Sequence, residues 1–121
     1  MSPTPLYVGI DLGTSGCRAM AIDQELAVVA SAEVELPPPQ RQGAESEQDA
    51  EIWWQAVCEV LSDLTGQIES TAIQAIAVDG TSGTIVLSDD QGIPVAPGLL
   101  YNDTRARAEA ARIAALAPAA S

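Results

Sequence analysis

The chain has 121 residues, 47% of them apolar, enough for one compact domain with its own core. Five arginines, no lysine and 17 carboxylates give a net charge of −12, which repels nucleic-acid phosphates and anionic lipid and argues against both as partners. There is no histidine, and neither Cys17 nor Cys58 has a ligand neighbour at CxxC spacing. Zinc chemistry, histidine acid–base catalysis and a Ser-His-Asp triad are therefore excluded, and two buried reduced thiols are expected. Residues 1–5 have no basic or apolar leader character and no apolar stretch is long enough to span a bilayer, so a cytoplasmic location is expected.

In chain order, the apolar run 6–10 predicts a strand ending at Asp11, followed by a Gly13-Thr14-Ser15-Gly16 turn. Runs 17–22 and 26–36 predict two further strands and an antiparallel three-stranded meander. Pro37-Pro38-Pro39 ends it, and the polar residues 40–48 read as an exposed loop. Asp49 is an N-cap candidate for an amphipathic helix on which Trp53, Val57, Val60, Leu61, Leu64 and Ile68 recur at helical spacing. Residues 73–78 form an almost unbroken apolar run, as expected of a parallel strand covered on both faces. Residues 85–87 predict a short strand, and 105–116 a last helix capped by Asp103 or Thr104, with Arg105 and Glu109 spaced to pair along it. Residues 117–121 are expected to fray.

Two of these strands end in Asp followed directly by a Gly/Thr/Ser turn: Asp11-Leu12-Gly13-Thr14-Ser15-Gly16 and Asp79-Gly80-Thr81-Ser82-Gly83-Thr84. The carboxyl ends of strands in α/β sheets are where ligands bind. Such a turn offers backbone amides and the Thr14 and Ser15 hydroxyls to phosphate oxygens, and Asp11 an oxygen ligand for Mg²⁺. An ordinary Gly-rich hairpin tip fits the composition equally well. A P-loop is excluded, because there is no lysine and the first turn joins two strands. Asp79 either caps its own turn or reaches a ligand, and Asp103 is either a helix N-cap or a binding residue. Trp53 lies on the apolar stripe and reads as core. Trp54 lies off it, as a pocket wall or a surface residue, and Arg105 reads as a solvated helix charge.

Gly9-Ile10-Asp11-Leu12-Gly13-Thr14-Ser15-Gly16 is similar to the first phosphate motif of the actin-like ATPase superfamily, and within it most resembles the FGGY carbohydrate kinases. Three further segments resemble that family in order: Glu47-Gln48-Asp49 with Trp53-Trp54, then Asp79-Gly80-Thr81-Ser82-Gly83-Thr84, then Tyr101-Asn102-Asp103-Thr104-Arg105. Ala50 stands where the family usually has Pro, and Tyr101 where it has Trp. The second segment looks like the D-ribulose kinase-like branch rather than the Gln-Met-His form of typical xylulose kinases.

The resemblance implies a truncated ribonuclease H-like N-terminal lobe, α/β, with a mixed sheet: the antiparallel meander plus a parallel strand added after the first helix. It implies one partial domain over 1–121, with the meander at 6–36 and the helix, sugar-motif strand and pocket segment at 49–107. It implies ATP-dependent phosphorylation of a ketose or polyol such as D-ribulose or D-xylulose, with Mg²⁺. Asp11, Gly13, Thr14 and Ser15 would serve phosphate and metal, and Asp11, Thr81, Ser82, Tyr101, Asn102 and Asp103 the sugar. The general base is expected beyond Ser121, so no catalytic residue is assigned here and the chain alone is not expected to be competent. Ser121 reads as an artificial or accidental stop. The alternative is a non-catalytic half-domain that binds sugar weakly or pairs with another chain; an open sheet edge and an uncovered apolar face imply a tendency to dimerise or aggregate.

Overall fold

The computed structural model describes residues 2–117. In order these form β1 (Leu6–Leu12), β2 (Gly16–Ile22), β3 (Val28–Glu35), β4 (Gln40–Gln42), β5 (Glu45–Gln48), α1 (Ala50–Thr65), a 3-10 turn (Ser70–Ala72), β6 (Ile73–Gly80), β7 (Gly98–Leu99) and α2 (Arg107–Leu116). The chain gathers into two compact units. One runs to Pro38 and resumes over Asp49–Ser82; the other takes Pro39–Gln48 and the described residues from Gly83 on.

The first unit is a mixed sheet of order β3-β2-β1-β6, the predicted meander with a parallel strand beside it. β1 and β2 run antiparallel from Tyr7↔Ile22 to Leu12↔Cys17, and β1 and β6 run parallel from Val8↔Ile76 to Leu12↔Gly80. Side chains alternate across a strand, so Leu6, Val8 and Ile10 of β1 and Cys17, Ala19 and Ala21 of β2 are buried on one face. α1 covers that face through Ala56, Val60 and Leu64, with Trp53, Val57 and Leu61 partly buried against the same cluster. Asp49 caps the helix as its sequence position predicts: its Oδ1 accepts from the Glu51 amide at 2.9 Å.

Three expectations for this unit change. β3 begins at Val28 instead of residue 26, because Leu26 adopts a left-handed φ of 66° in a turn whose Glu25 and Ala27 amides donate to the Asp23 carboxylate. β6 is a sheet edge rather than a strand covered on both faces: α1 packs mainly over β2 and β3, and Ile76 and Val78 remain 51% and 67% exposed. Cys17 is buried, but Cys58 is exposed on α1.

In the second unit the segment expected as a polar loop is a hairpin, paired on to β7 in the order β4-β5-β7. Its turn is made possible by Gly43, whose φ of 59° suits a two-residue hairpin connection. Residues 85–87 form no full strand; Ile85 makes a single bridge to Leu99. α2 starts two residues later than expected, with Ala106 at its N-cap position and no side-chain cap, and Arg105 lies outside it. The fraying expected at 117–121 falls, apart from Ala117, outside the described residues.

Leu64 is fully buried, so Leu64→Ala is expected to cost ~2–5 kcal/mol in urea unfolding. Trp54 is 63% exposed, and Trp54→Ala is expected to stay within about 0.5 kcal/mol in the same experiment.

Candidate functional site

Because β1 lies between an antiparallel and a parallel neighbour, the β1–β2 turn and the end of β6 fall at the same end of the sheet. Asp11 is in register with Asp79 on one side and Arg18 on the other, and all three point to the face opposite α1. That face is an open concavity of about 730 Å³, with Gly9 and Ala77 in its lining beside Asp11, Arg18, Glu33 and Asp79. Arg18 donates from Nε to Glu33 Oε1 at 3.0 Å and places Nη1 3.9 Å from Asp11 Oδ2. These are exposed, screened contacts that leave the Asp11 carboxylate accessible.

The first turn is closed by the Gly13 amide donating to the Gly16 carbonyl at 2.9 Å, and the Ser15 carbonyl accepts from the Leu36 amide at 3.0 Å. Gly16 is constrained by its neighbour: a Cβ there would lie 3.2 Å from the Val34 carbonyl oxygen. The Thr14 and Thr81 hydroxyls approach to 3.5 Å, so the two Gly/Thr/Ser turns, 67 residues apart, meet side by side. Ser82 is exposed directly after Thr81, and Asp79 Oδ1 accepts from the Gly80 amide at 2.7 Å, the local capping role weighed for it. Cys17, beneath this end of the sheet, is buried, and that burial first, then the Asp11 charge, push its thiol pKa up.

An oxygen-only donor set suits Mg²⁺, which is commonly held by one or two carboxylates together with substrate phosphates and water. The accessible Asp11 carboxylate, with Asp79 in register beside it, is a donor of that kind. Among the described residues no group of three or more acidic, Cys or His side chains forms a self-sufficient metal cage.

The second unit holds Tyr101, Asn102 and Asp103. Tyr101 is 61% exposed. Asn102 Oδ1 is enclosed without a partner among the described residues. The Asp103 side chain is only 6% exposed and is engaged from several sides. Its Oδ2 accepts from the Ser46 amide at 2.8 Å and from Arg105 Nη2 at 2.7 Å, and its Oδ1 from Arg105 Nε at 3.0 Å and the Arg105 amide at 3.1 Å. Arg105 Nη2 also donates to Glu47 Oε1 at 2.8 Å, and Nη1 lies 3.9 Å from Glu45 Oε1. Neither residue serves α2: Asp103 does not cap it, and Arg105 pairs here rather than with Glu109.

Sequence reasoning missed Arg105 and Glu47, since a polar segment 58 residues from its partner carries no periodic signal. The Arg105 guanidinium, and next the Ser46 amide, hold the Asp103 carboxyl well below the usual carboxylate range. A depressed acid contributes its full stabilisation above its unfolded pKa of about 3.9 and loses it as pH falls from there towards the folded value. The Ser46 and Thr104 amide resonances are therefore expected to hold from neutral pH to about pH 4. They should give way only in stronger acid, although Glu45 and Glu47 face the same guanidinium.

The sequence matches the profile of the FGGY family of carbohydrate kinases, N-terminal domain, over residues 6–119. It is 33% identical over 113 residues to a xylulose kinase of Escherichia coli K12, covering 93% of this chain and 23% of that protein. An apulose kinase of Pectobacterium atrosepticum is 31% identical, over 85% of this chain and 21% of its own. A solved xylulose kinase of Brucella ovis superposes with a TM-score of 0.85 at 35% identity, over 91% of this chain and 24% of that one. The chain thus spans under a quarter of the length of these relatives. These relatives are named xylulose and apulose kinase, where the segment from Asp79 to Thr84 had led to the expectation of the D-ribulose branch. Among the described residues no helix is long and apolar enough to cross a membrane. With its mixed sheet, paired turns and motif order, the chain belongs to the FGGY family of carbohydrate kinases.

Proposed function

We propose that this chain supplies part of the substrate cleft of an ATP-dependent kinase for a ketopentose such as D-xylulose or D-ribulose. The observation that carries this reading is the meeting of the two Gly/Thr/Ser turns at the carboxyl ends of adjacent parallel strands, with Asp11 and Asp79 in register beneath them. Phosphoryl transfer depends chiefly on positioning and on stabilising charge spread over the equatorial oxygens. In this reading the Thr14 and Ser15 amides and hydroxyls serve the transferring phosphoryl group, the Gly13 amide being used to close the turn, and the accessible Asp11 carboxylate would hold the metal. A bound Mg²⁺ would supply charge neutralisation on the phosphates. Thr81 and Ser82 would hold sugar hydroxyls. The proton acceptor for the sugar hydroxyl is assigned to no residue of this chain.

The test has two arms. In amide spectra, Mg-nucleotide is expected to shift residues 11–15 and D-xylulose residues 81–82, with Asp11→Ala suppressing the first response. Silence in both would sink the reading. In a coupled ADP-release assay with D-xylulose, D-ribulose, ribitol and glycerol, no sugar is expected to stimulate turnover by this chain alone. Stimulation abolished by Asp11→Ala would show that it is competent after all.

A second reading, a non-catalytic module that pairs with another chain or with itself, is favoured by the exposed β6 edge with Ile76 and Val78. Light scattering at high concentration is expected to show dimers or larger species, and a monodisperse monomer would remove pairing of the chain with itself.

A further inference from the structure

β5 and β7 pair antiparallel with Glu47↔Leu99 and Gln48↔Gly98 in register, and the next pair outward is Ser46 with Leu100. Half of that pair is present: the Leu100 amide donates to the Ser46 carbonyl at 3.0 Å. A regular ladder would complete the ring with the Ser46 amide donating to the Leu100 carbonyl. Instead the Leu100 carbonyl accepts from the Asp103 amide at 2.9 Å, and the Ser46 amide goes to Asp103 Oδ2 at 2.8 Å. The Asp103 carboxylate has taken the place of a backbone acceptor, and the displaced carbonyl closes a tight turn over residues 100–103. Beyond it the Thr104 amide donates to the Ala44 carbonyl at 2.9 Å, so the segment stays fastened along β5.

We infer that Asp103, Arg105 and Glu47 form a clamp that sets the Tyr101–Asn102 turn, making Asp103 and Arg105 positioning residues while the exposed Tyr101 is the one presented to a ligand. Asp103 is suited to this and poorly suited to sugar contact. Both its oxygens are already occupied by the Arg105 fork and two amides, and its side chain is almost enclosed. Arg105 fixes the carboxylate's orientation through its fork and ties it to the β5 side chain of Glu47, a geometry that lysine cannot reproduce. Gly83 is part of the same fit: a Cβ on it would lie 3.4 Å from Tyr101 Cβ, at a φ of 81° that favours glycine. This assignment rests on the sugar-kinase reading for the identity of the ligand, but not for the clamp itself.

The test compares the unmodified chain with Asp103→Ala, Arg105→Ala, Arg105→Lys and Glu47→Gln by residue-resolved amide exchange and by D-xylulose titration in the same spectra. Asp103→Ala and Arg105→Ala are expected to raise exchange about tenfold or more at Ser46, Asp103 and Thr104 while Val60 and Leu64 of α1 are unchanged. Glu47→Gln, which keeps an acceptor oxygen, should have a smaller effect, and Arg105→Lys should rescue only part of the protection. D-xylulose is expected to shift Tyr101 and Asn102 in the unmodified chain and to bind more weakly in Arg105→Ala. Unchanged protection at Ser46 in Asp103→Ala overturns the clamp. A direct sugar-induced shift of the Asp103 carboxyl carbon, larger than those at Tyr101 and Asn102, overturns its assignment as a positioning residue. If D-xylulose shifts nothing in the unmodified chain, the ligand reading fails, and the exchange pattern still decides the clamp.

Discussion

The double pairing of β1 is the constraint from which the first unit follows. One strand is hydrogen-bonded antiparallel to β2 and parallel to β6, so its carboxyl end must meet both the start of β2 and the end of β6. Because side-chain direction alternates along a strand, this register also fixes which residues face α1 and which face the open side. Ile10 and Cys17 go inward, and Asp11, Arg18 and Asp79 go outward together. A slip of one residue along β1 would bury Asp11 and expose Val8 and Ile10, a cost no surface contact of Arg18 could offset.

Energetically the two units rely on different interactions. The first has a cluster of buried aliphatic side chains beneath α1, the usual source of folding free energy. In the second, Ser46 and Gln48 are buried on a strand with no apolar residue, Leu100 is its buried aliphatic side chain among the described residues, and backbone ladders and one guanidinium shared by Asp103, Glu47 and Glu45 join its segments. For a chain carrying a net charge of −12, a single arginine among three carboxylates is a concentrated point of dependence.

What the sequence disclosed follows the same division. β1 and β2 were legible as apolar runs closed by Asp and turn residues, β6 likewise as an apolar run, α1 because burial imposes a period of 3.6 residues on its apolar side chains, and Asp49 because capping needs a short acceptor at a fixed place. The β4–β5 hairpin was not legible, since all seven of its strand residues are polar and its pairing uses only main-chain groups. The exposure of β6 was hidden for the opposite reason: an apolar run states what a strand prefers, and says nothing about whether an element packs over it. Arg105 looked like a helix charge because local spacing was the only information at hand, whereas its Glu47 partner lies 58 residues away.

The substitution of a carboxylate for a carbonyl at Ser46 has a consequence for how this family can vary. Backbone ladders are blind to the identity of the residues they join, so mutation rarely moves the place where pairing stops. Here the stopping point is written in a side chain. A single codon change at residue 103 could return the ladder to main-chain control, lengthen the strand and carry residue 101 to a new place, leaving the hydrophobic core untouched. The placement of such a segment can drift in inheritance independently of fold stability.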